Sequence, residues 1–515
     1  MGDTFTKSMA ALHTWAGVTI GALLFAIFWM GTLSVFSNEI DRWMLPDTRL
    51  ETRAAARDAA TAPSLDRIAQ AVVPSVPAGA RQWRVDLPTA RTPVMEFSYR
   101  GADGAEHGRL LDPSSYAFLP PQGSAGATGF IVPFHYHLHL NWLEIGKWLV
   151  GVAGMTMLVM LVSGVIVHKK ILAQFFTFRP RKRLQRSALD LHNLTGVLAL
   201  PFHFAIALSG LIIFMTIYFP QSYYGAYGNT AKDKAAFTAE AYGRYSRKPA
   251  KAPGTLASLD AMRDRAEREW GGGQPYFVRV WNPGDANSYV ELRRSYAHDM
   301  TMNLDQIYFD AATGEVLERF EAGPVMTVQR FFSGLHFVRF ERWTLRWLYF
   351  LGGLSGCVMI ATGFLFWLEG RRARHAKHGL AGVAIVEGLT IGSVTGILLA
   401  TLAFFVANRL LPADAGYAGV DRAGMEIRVF YLVWVLAFCH GWWRRACAWR
   451  EQLWAIAGLC VLAVGLNWVT TGEHVLKALA QGQFAVAGMD LGLFATALLA
   501  LAAVKRIRVM RIQGA

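Results

Sequence analysis

Cysteine is scarce in this sequence, and its placement limits what it can do. Four cysteines occur in 515 residues, namely Cys357, Cys439, Cys447 and Cys460. All four fall within or beside long apolar runs, so the long polar segments of the chain contain none. A disulfide framework is therefore excluded from those segments, which must be stabilised by packed cores.

Several motifs of cofactor and metal chemistry are also missing. The chain has no G-x-x-x-x-G-K-[ST], no G-x-G-x-x-G between a strand and a helix, no C-x-x-C and no H-E-x-x-H. Such motifs bind nucleotide phosphates, dinucleotides or metal ions. Their absence argues against a nucleotide or flavin domain within this chain. A redox protein with this sequence would need a separate electron donor.

Apolar residues are abundant instead. The chain is 53% hydrophobic, with 17 Trp, 32 Phe and a mean hydropathy of +0.27, which is too apolar for a soluble globular protein. The first long run has no A-x-A-like cleavage site before Asn38, so it is interpreted as a retained span. Eight runs are long enough to cross about 30 Å of hydrocarbon: residues 10–36, 146–168, 190–219, 345–368, 384–408, 427–443, 452–471 and 486–504.

Basic residues near the ends of these runs predict the orientation. They cluster in residues 169–186, 371–377, 444–450 and 505–511. All four clusters lie on one side if both termini are cytoplasmic, as the positive-inside rule requires. The net charge of +14 is therefore mainly a topology signal. No nucleic-acid partner is expected, because these charges lie next to membrane ends.

The predicted fold is a mainly α-helical membrane protein with two α+β domains on the far side, the periplasm in a bacterium. We divide the chain into span 1 (1–37), a first exported domain (38–138), spans 2 and 3 (139–219), a second exported domain (220–335), span 4 (336–370) and an additional four-span domain (371–515).

The two exported segments repeat each other. Each contains one amphipathic helix followed by alternating strands and a turn. The matching stretches are APSLDRIAQAVV (62–73) with LASLDAMRDRAE (256–267), RQWRVDLP (81–88) with PYFVRVWNP (275–283), and GRLLDPSSYAFL (108–119) with QIYFDAATGEVL (306–317).

The apolar spans repeat as well. LHTWAG at 12–17 matches LHNLTG at 191–196, and LHLNW at 138–142 matches LHFVRF at 335–340. The first 370 residues therefore look like a duplicated unit of span, exported domain and span.

Four histidines recur in this repeat, His13 with His192 and His139 with His336. A duplicated bundle brings equivalent helices together about a pseudo-twofold axis. Two imidazoles facing each other across a bundle are typical of a bis-histidine haem b site, so one or two haems are predicted. For each histidine the alternative is a hydrogen bond to a neighbouring helix. The room for a porphyrin would come from small residues: Gly17, Gly21, Gly196 and Ser209.

Other histidines have weaker signals. His203 follows His192 by 11 residues, which places both on one face of a straight helix. Its repeat counterpart is Leu24, so His203 ranks below His192 as a haem ligand. His135 and His137 alternate with aromatic residues in FHYHLHL, which indicates a strand or loop where a metal site is the alternative.

The stretches LHTWAG, FHYHLHL, DLHNLTG, SGLHFVRF and IYFDAATGEVL resemble the PepSY-associated transmembrane proteins, an iron-regulated inner-membrane group that includes siderophore reductases. The resemblance covers about residues 8–372. It implies four core spans, two periplasmic PepSY domains, and haem b iron held by span histidines, which carry over to His13, His139, His192 and His336. The extra spans from 384 to 505 depart from the short members of the group.

This resemblance implies a function. The expected activity is a ferric-chelate reductase of the bacterial inner membrane that passes electrons to a ferric siderophore in the periplasm, so that iron is released. The expected partners are the lipid bilayer, the siderophore substrate, and a cytoplasmic or quinol electron donor. The aromatic and basic residues near span 4 either hold an anionic chelate or form an interfacial belt: Arg339, Arg342, Trp343, Arg346 and Trp347.

The alternative is a non-enzymatic membrane protein whose PepSY domains regulate a peptidase or assist siderophore transport. For transport, the additional spans offer polar candidates: Glu387, Asn467, Glu473 and Asp490.

Overall fold

A computed structural model describes residues 2–50, 62–168, 177–180, 182–303 and 305–513. Of the basic residues behind the predicted orientation, Lys169, Lys170 and Arg181 lie outside the described residues. The chain forms two compact units. The helical unit comprises the residues up to Pro46, Gly123–Leu211 and the residues from Thr344 onward. The sheet unit comprises Asp47–Gln122 and Ile212–Trp343.

The α-helices are, in chain order, α1 (Gly2–Ser34), α2 (Ser37–Met44), α3 (Leu65–Val72), α4 (Gly126–His137), α5 (Ile145–Val167), α6 (Leu184–Leu198), α7 (Leu200–Ile213), α8 (Met215–Tyr218), α9 (Gln221–Tyr227), α10 (Ala231–Tyr242), α11 (Leu259–Glu269), α12 (Pro324–Phe337), α13 (Trp343–Lys377), α14 (Gly382–Leu410), α15 (Arg422–Arg444), α16 (Ala446–Thr471), α17 (Val475–Ala480) and α18 (Phe484–Gln513).

The predicted membrane spans are confirmed. Within the described residues, seven helices are long and apolar enough to cross a membrane, and the bent pair α6 and α7 makes an eighth. Each of the eight predicted runs falls on one of these helices or on the bent pair. All four cysteines lie in these helices and are free thiols.

The third predicted span differs from the prediction in one respect. Helices α6 and α7 meet at an angle of 65° around Ala199, so residues 190–213 do not form one straight helix. Pro201 explains the bend, because its ring removes a backbone N–H and clashes with the carbonyl one turn earlier. The inference that His192 and His203 share a face of a single straight helix is therefore wrong.

The stretch FHYHLHL also differs from the prediction. Its first residues belong to α4, which continues through His137, so the strand or loop interpretation is wrong there. Phe130 and Phe134 on α4 are buried in the core of the helical unit. The helix ends at Leu138, which has a positive φ of 54°.

The sheet unit is built around a seven-stranded antiparallel sheet of order β3-β2-β1-β4-β5-β6-β7. The sheet joins both repeats, because β1 pairs with β4 and Arg84 lies opposite Arg279. The strands are β1 (Gln82–Asp86), β2 (Met95–Arg100), β3 (Glu106–Leu111), β4 (Pro275–Trp281), β5 (Tyr289–Arg294), β6 (Gln306–Asp310) and β7 (Val316–Phe320). A separate pair, β8 (Gly416–Tyr417) and β9 (Val420–Asp421), lies in the helical unit.

Helices α3 and α11, one from each repeat, contribute to the core on one face of the sheet. They cap each other's first turn. The Asp260 carboxylate accepts hydrogen bonds from the Leu65 N–H (2.8 Å) and the Ser64 hydroxyl (2.5 Å). The Asp66 carboxylate accepts them from the Leu259 N–H (2.6 Å) and the Ser258 hydroxyl (2.7 Å). This reciprocal capping satisfies N–H groups that a helix start leaves unpaired.

Candidate functional site

His13 is held on α1 by a contact with α5. Its Nδ1 lies 3.0 Å from the carbonyl oxygen of Met160 and 3.2 Å from the hydroxyl of Ser163. A carbonyl oxygen can only accept, so Nδ1 carries the proton in this hydrogen bond. The Nε2 atom of the neutral ring then keeps its lone pair.

His192 has the equivalent arrangement in the second repeat. Its Nδ1 lies 2.8 Å from the carbonyl oxygen of Met359 on α13. Here too Nδ1 is the donor, which leaves Nε2 with a lone pair. No hydrogen bond to Nε2 of His13 or His192 occurs among the described residues. Metal-binding histidines almost always show this pattern, with one ring nitrogen donating to the protein and the other facing the metal.

The structure brings His13 and His192 together. Their ring centroids are 6.2 Å apart, and the ring planes are nearly perpendicular at 86°. A metal–imidazole bond of about 2 Å puts the ring centroid about 3 Å from the metal, so two imidazoles on opposite sides of one iron have centroids about 6 Å apart. The observed separation fits this requirement.

A glycine lies against each ring. A Cβ atom on Gly164 would lie 3.2 Å from Cε1 of His13, and one on Gly363 would lie 3.2 Å from Cε1 of His192. Each glycine comes four residues after the carbonyl that accepts the hydrogen bond, at Met160 and Met359. A larger residue would push the ring away from its carbonyl. We call this arrangement the histidine–glycine contact.

His203 makes a similar contact. It is fully buried on α7, and its Nε2 lies 3.3 Å from the Gly352 carbonyl and 3.1 Å from the Ser355 hydroxyl. A Cβ atom on Gly356, four residues after Gly352, would lie 3.3 Å from the ring. The Nδ1 atom is buried and has no hydrogen-bond partner among the described residues.

His135 makes the fourth such contact, and sequence reasoning did not select it. Its Nδ1 lies 2.9 Å from the Ile27 carbonyl, and a Cβ atom on Gly31 would lie 2.7 Å from its ring. The sequence signal was present in the pairing of Gly31 with a repeat counterpart, Gly210. However, the histidine that uses Gly31 lies on α4, more than 100 residues away.

The structure does not place His139 and His336 at equivalent positions. Both α4 and α12 end in a residue with positive φ, Leu138 and Val338. His139 follows its cap, whereas His336 precedes its cap and lies within α12. The Nε2 atom of His139 lies 3.0 Å from the Phe130 carbonyl, and its ring stacks on the Phe130 ring.

Of the residues predicted for an interfacial belt, Arg346 behaves differently. Its side chain is 1% exposed and forms an ion pair with Glu39, which is also buried. A buried, paired guanidinium neither extends to the lipid interface nor offers a site to a chelate. Trp343 and Trp347 are about half exposed, at 50% and 49%, as the belt interpretation expects.

The polar residues of the additional spans have partners inside the helical unit. The Trp43 indole donates to the buried Asp490 carboxylate at 2.8 Å, and Asn467 lies 3.4 Å from the same group. Glu387 pairs with Arg372 at 2.9 Å, and Glu473 pairs with Lys477 at 3.0 Å. These contacts give the four residues structural work.

No group of three or more His, Cys, Asp or Glu side chains suited to a metal ion occurs in the part of the chain that the structure describes. A haem iron, with its four porphyrin nitrogens, needs only two protein ligands. The His13 and His192 pair therefore remains suited to a haem and unsuited to a bare metal ion.

Two comparisons with known proteins bear on this site. A family model described as "PepSY-associated TM region" matches residues 10–370, a range that includes all of the histidines discussed above. "Uncharacterized protein PA4219" of Pseudomonas aeruginosa is 26% identical over 377 residues, which cover 68% of this chain and 87% of that protein.

Proposed function

Because this chain belongs to the family of proteins with a PepSY-associated TM region, we propose that it is a haem-b-containing reductase of the inner membrane. In this proposal, it passes electrons from a cytoplasmic or quinol donor across the membrane to an iron(III) chelate, such as a ferric siderophore, in the periplasm. The termini are cytoplasmic, and the sheet unit is exported.

The observation that carries the proposal is the pairing of His13 and His192. The two rings come from equivalent positions of a duplicated unit, and their centroids are 6.2 Å apart. Both Nδ1 atoms donate to backbone carbonyls, so both Nε2 atoms are available as ligands. Two ordinary structural histidines would not need this shared tautomer.

Haem b bound by His13 and His192 would supply a one-electron carrier within the membrane. The protein's own contribution is to fix the ring orientations. The carbonyls of Met160 and Met359 hold the proton on each Nδ1, and Gly164 and Gly363 let each ring lie close to the neighbouring helix. Because the lack of C-x-x-C-H excludes covalent attachment, the haem would be of the b type.

For a second haem, we propose His135 and His203 as ligands in place of His139 and His336. All four residues of the new set make the histidine–glycine contact, two on α1 or α4 and two on α6 or α7. His139 instead uses Nε2 in a hydrogen bond to the Phe130 carbonyl.

The chelate is the substrate of the proposed reaction. One electron converts Fe(III) to Fe(II), and the electron comes from the separate donor. Oxygen ligands of the hydroxamate or catecholate type are hard and bind Fe(II) less well than Fe(III). Reduction therefore releases the iron.

The test is the reduced-minus-oxidised absorption spectrum of the purified chain, expressed with ample haem. We expect a low-spin b-type spectrum. His13→Ala and His192→Ala should each lose the same part of it, because one lost imidazole leaves the iron with an open position. His107→Ala is the matched control, since His107 lies on β3 in the sheet unit and stacks on Tyr99.

The second pair makes a separate prediction in the same assay. His203→Ala and His135→Ala should each remove a second component, while His139→Ala should retain both. A protein without a Soret band would contradict the proposal and favour a non-enzymatic role. Loss of haem in His139→Ala but not in His135→Ala would restore the pairing of His139 with His336.

A further inference from the structure

The sheet unit presents a face rich in arginine opposite its helix-covered face. Alternation along the strands places Arg84, Phe277, Arg279, Glu291 and Arg293 on this face, which we call the arginine face. Three guanidinium groups surround the fully buried ring of Phe277, at 4.0 Å for Arg84, 5.0 Å for Arg279 and 5.4 Å for Arg293. Such cation–π contacts are favourable but leave each positive charge in place.

These three arginines have carboxylate partners. Arg279 and Arg293 bind the buried Glu291 carboxylate at 3.2 and 2.8 Å. Arg84 pairs with the neighbouring Asp86. The charges in the middle of the arginine face are therefore compensated within the protein.

Arg330 on α12 differs from them. Its side chain is 5% exposed, yet it takes part in no ion pair within the described residues. Its Nε and Nη2 atoms are buried and have no hydrogen-bond partner among those residues. Its Nη1 atom contacts only the sulfur of Met302, at 3.9 Å, which is a weak acceptor. A buried cation without a partner costs free energy, so the site is incomplete as a purely structural feature.

The surroundings of Arg330 are aromatic and cationic. Its guanidinium lies 4.8 Å from the centre of the Tyr242 ring. Burial lowers the pKa of Arg330 to about 10, and Arg293 lowers it further, while Tyr242, Tyr296 and Tyr276 oppose this shift. The group is therefore still charged at neutral pH.

We propose that Arg330 and the tyrosines around it, Tyr242, Tyr276 and Tyr296, bind a small organic anion that carries an aromatic ring. The free atoms Nε and Nη2 form one edge of the guanidinium, which matches two neighbouring oxygens such as those of a carboxylate or a catecholate. The tyrosine rings provide surfaces on which an aryl group packs. That the anion is an iron(III) chelate with aryl oxygen ligands rests on the proposed function; the anion site itself does not.

The test uses the gallium(III) complex of 2,3-dihydroxybenzoate, because Ga(III) resembles Fe(III) but is not reduced. Its binding to the purified full chain is measured by calorimetry. We expect Arg330→Gln to weaken binding about tenfold or more, because the charge and the two-pronged hydrogen bond are both lost. Arg330→Lys keeps the charge alone and should weaken binding less.

Arg319→Gln is the matched control, because Arg319 is an exposed arginine on β7 that pairs with Glu321. It should bind like the unaltered chain. Arg330→Gln removes a buried unpaired charge, so its melting temperature should be no lower than that of the unaltered chain. Should this variant fail to fold, the melting temperature of the unaltered chain is measured with the gallium complex, which must raise it.

Two results would overturn the proposal. One is equal affinity of Arg330→Gln and the unaltered chain, or no rise in melting temperature with the complex. The other is inorganic phosphate binding as tightly as the gallium complex, which would make this a general anion site. The haem spectrum of the same samples separates the two proposals. Arg330-dependent binding by a protein without haem would refute only the reductase.

Discussion

At the scale of single residues, the position of each ring depends on one carbonyl and one glycine. The Nδ1 atom of His192 is held by the Met359 carbonyl, while Gly363 leaves space for the ring edge. The same holds for His13 with Met160 and Gly164. Second contacts of this kind fix the tautomer and orientation of a ligand, and their loss typically costs as much as a large part of the binding.

We therefore predict that Gly363→Ile displaces His192 and lowers haem content. The new Cβ would start 3.2 Å from the ring, and the rest of the side chain would need still more room. The control is Gly458→Ile on α16, where a Cβ meets nothing within 4 Å. Soret absorbance per protein should fall by about tenfold in the first variant, by analogy with second-shell mutants, and stay unchanged in the second. Full absorbance in Gly363→Ile would show that the contact has no role in holding haem.

The sequence predicted the His13 and His192 pair because both lie in an LH motif of a repeat. It could not predict the use of His135, because the Ile27 carbonyl and Gly31 are on a helix distant in sequence. Nor could it separate Arg330 from the many other arginines. Only the packing shows that this guanidinium is buried and lacks a carboxylate partner.

At the scale of secondary structure, the reciprocal capping of α3 and α11 links the two repeats. Burial raises the pKa of Asp260, but hydrogen bonds from Ser64 and Leu65 together with Arg263 lower it more, so the pKa lies below its ordinary value of 3.8. A carboxylate with a depressed pKa stabilises the fold above the pKa of the unfolded chain. That stability is lost as the pH falls through the lower, folded value.

Asp260→Asn should therefore destabilise the start of α3 at pH 7 by about 1 kcal/mol, which is the usual value of such a cap. Hydrogen exchange in residues 62–72 should become about fivefold faster. The difference from the unaltered chain should shrink below about pH 4, where the carboxylate is protonated. Asp264→Asn is the control, because Asp264 is on the same helix but pairs with Arg263 outside the cap. A difference that persists unchanged at low pH would contradict this account.

The repeat predicted the helix and strands of each exported segment, but it did not predict how they combine. The β1 and β4 pairing that merges both sets of strands into one sheet is a contact between segments almost 200 residues apart. Local periodicity carries no information about such pairing. The bend at Pro201 was also missed, since a proline in an apolar run predicts a possible kink without its angle.

At the scale of the whole molecule, the additional spans are part of the helical unit. The Trp29 indole on α1 donates to the Thr401 hydroxyl on α14 at 3.0 Å. Ser124 donates to the Glu426 carboxylate on α15 at 2.6 Å. The most hydrophobic stretch of α14 is 78% buried. The division at residue 371 therefore describes the sequence well, whereas the packing of the helical unit crosses it.

The orientation is testable on the intact chain. In a variant without the four native cysteines, a cysteine at Thr230 should react with an impermeant maleimide added to intact cells, because residue 230 lies in an exported segment. A cysteine at Pro180 should react only after the membrane is opened, because it lies among the basic residues that the positive-inside rule keeps in the cytoplasm. The reverse labelling would invert the proposed direction of electron transfer.

The most direct test of the central claim, that His13 and His192 bind one haem iron, is the electron paramagnetic resonance spectrum of the oxidised full chain. Nearly perpendicular imidazole planes, at 86° here, predict a strongly anisotropic low-spin signal with one large g value. Parallel planes would give a rhombic signal. The anisotropic signal should be present in the unaltered chain and in His107→Ala, and absent from both His13→Ala and His192→Ala. A protein without haem, or a signal that survives in either of the last two variants, would contradict the account.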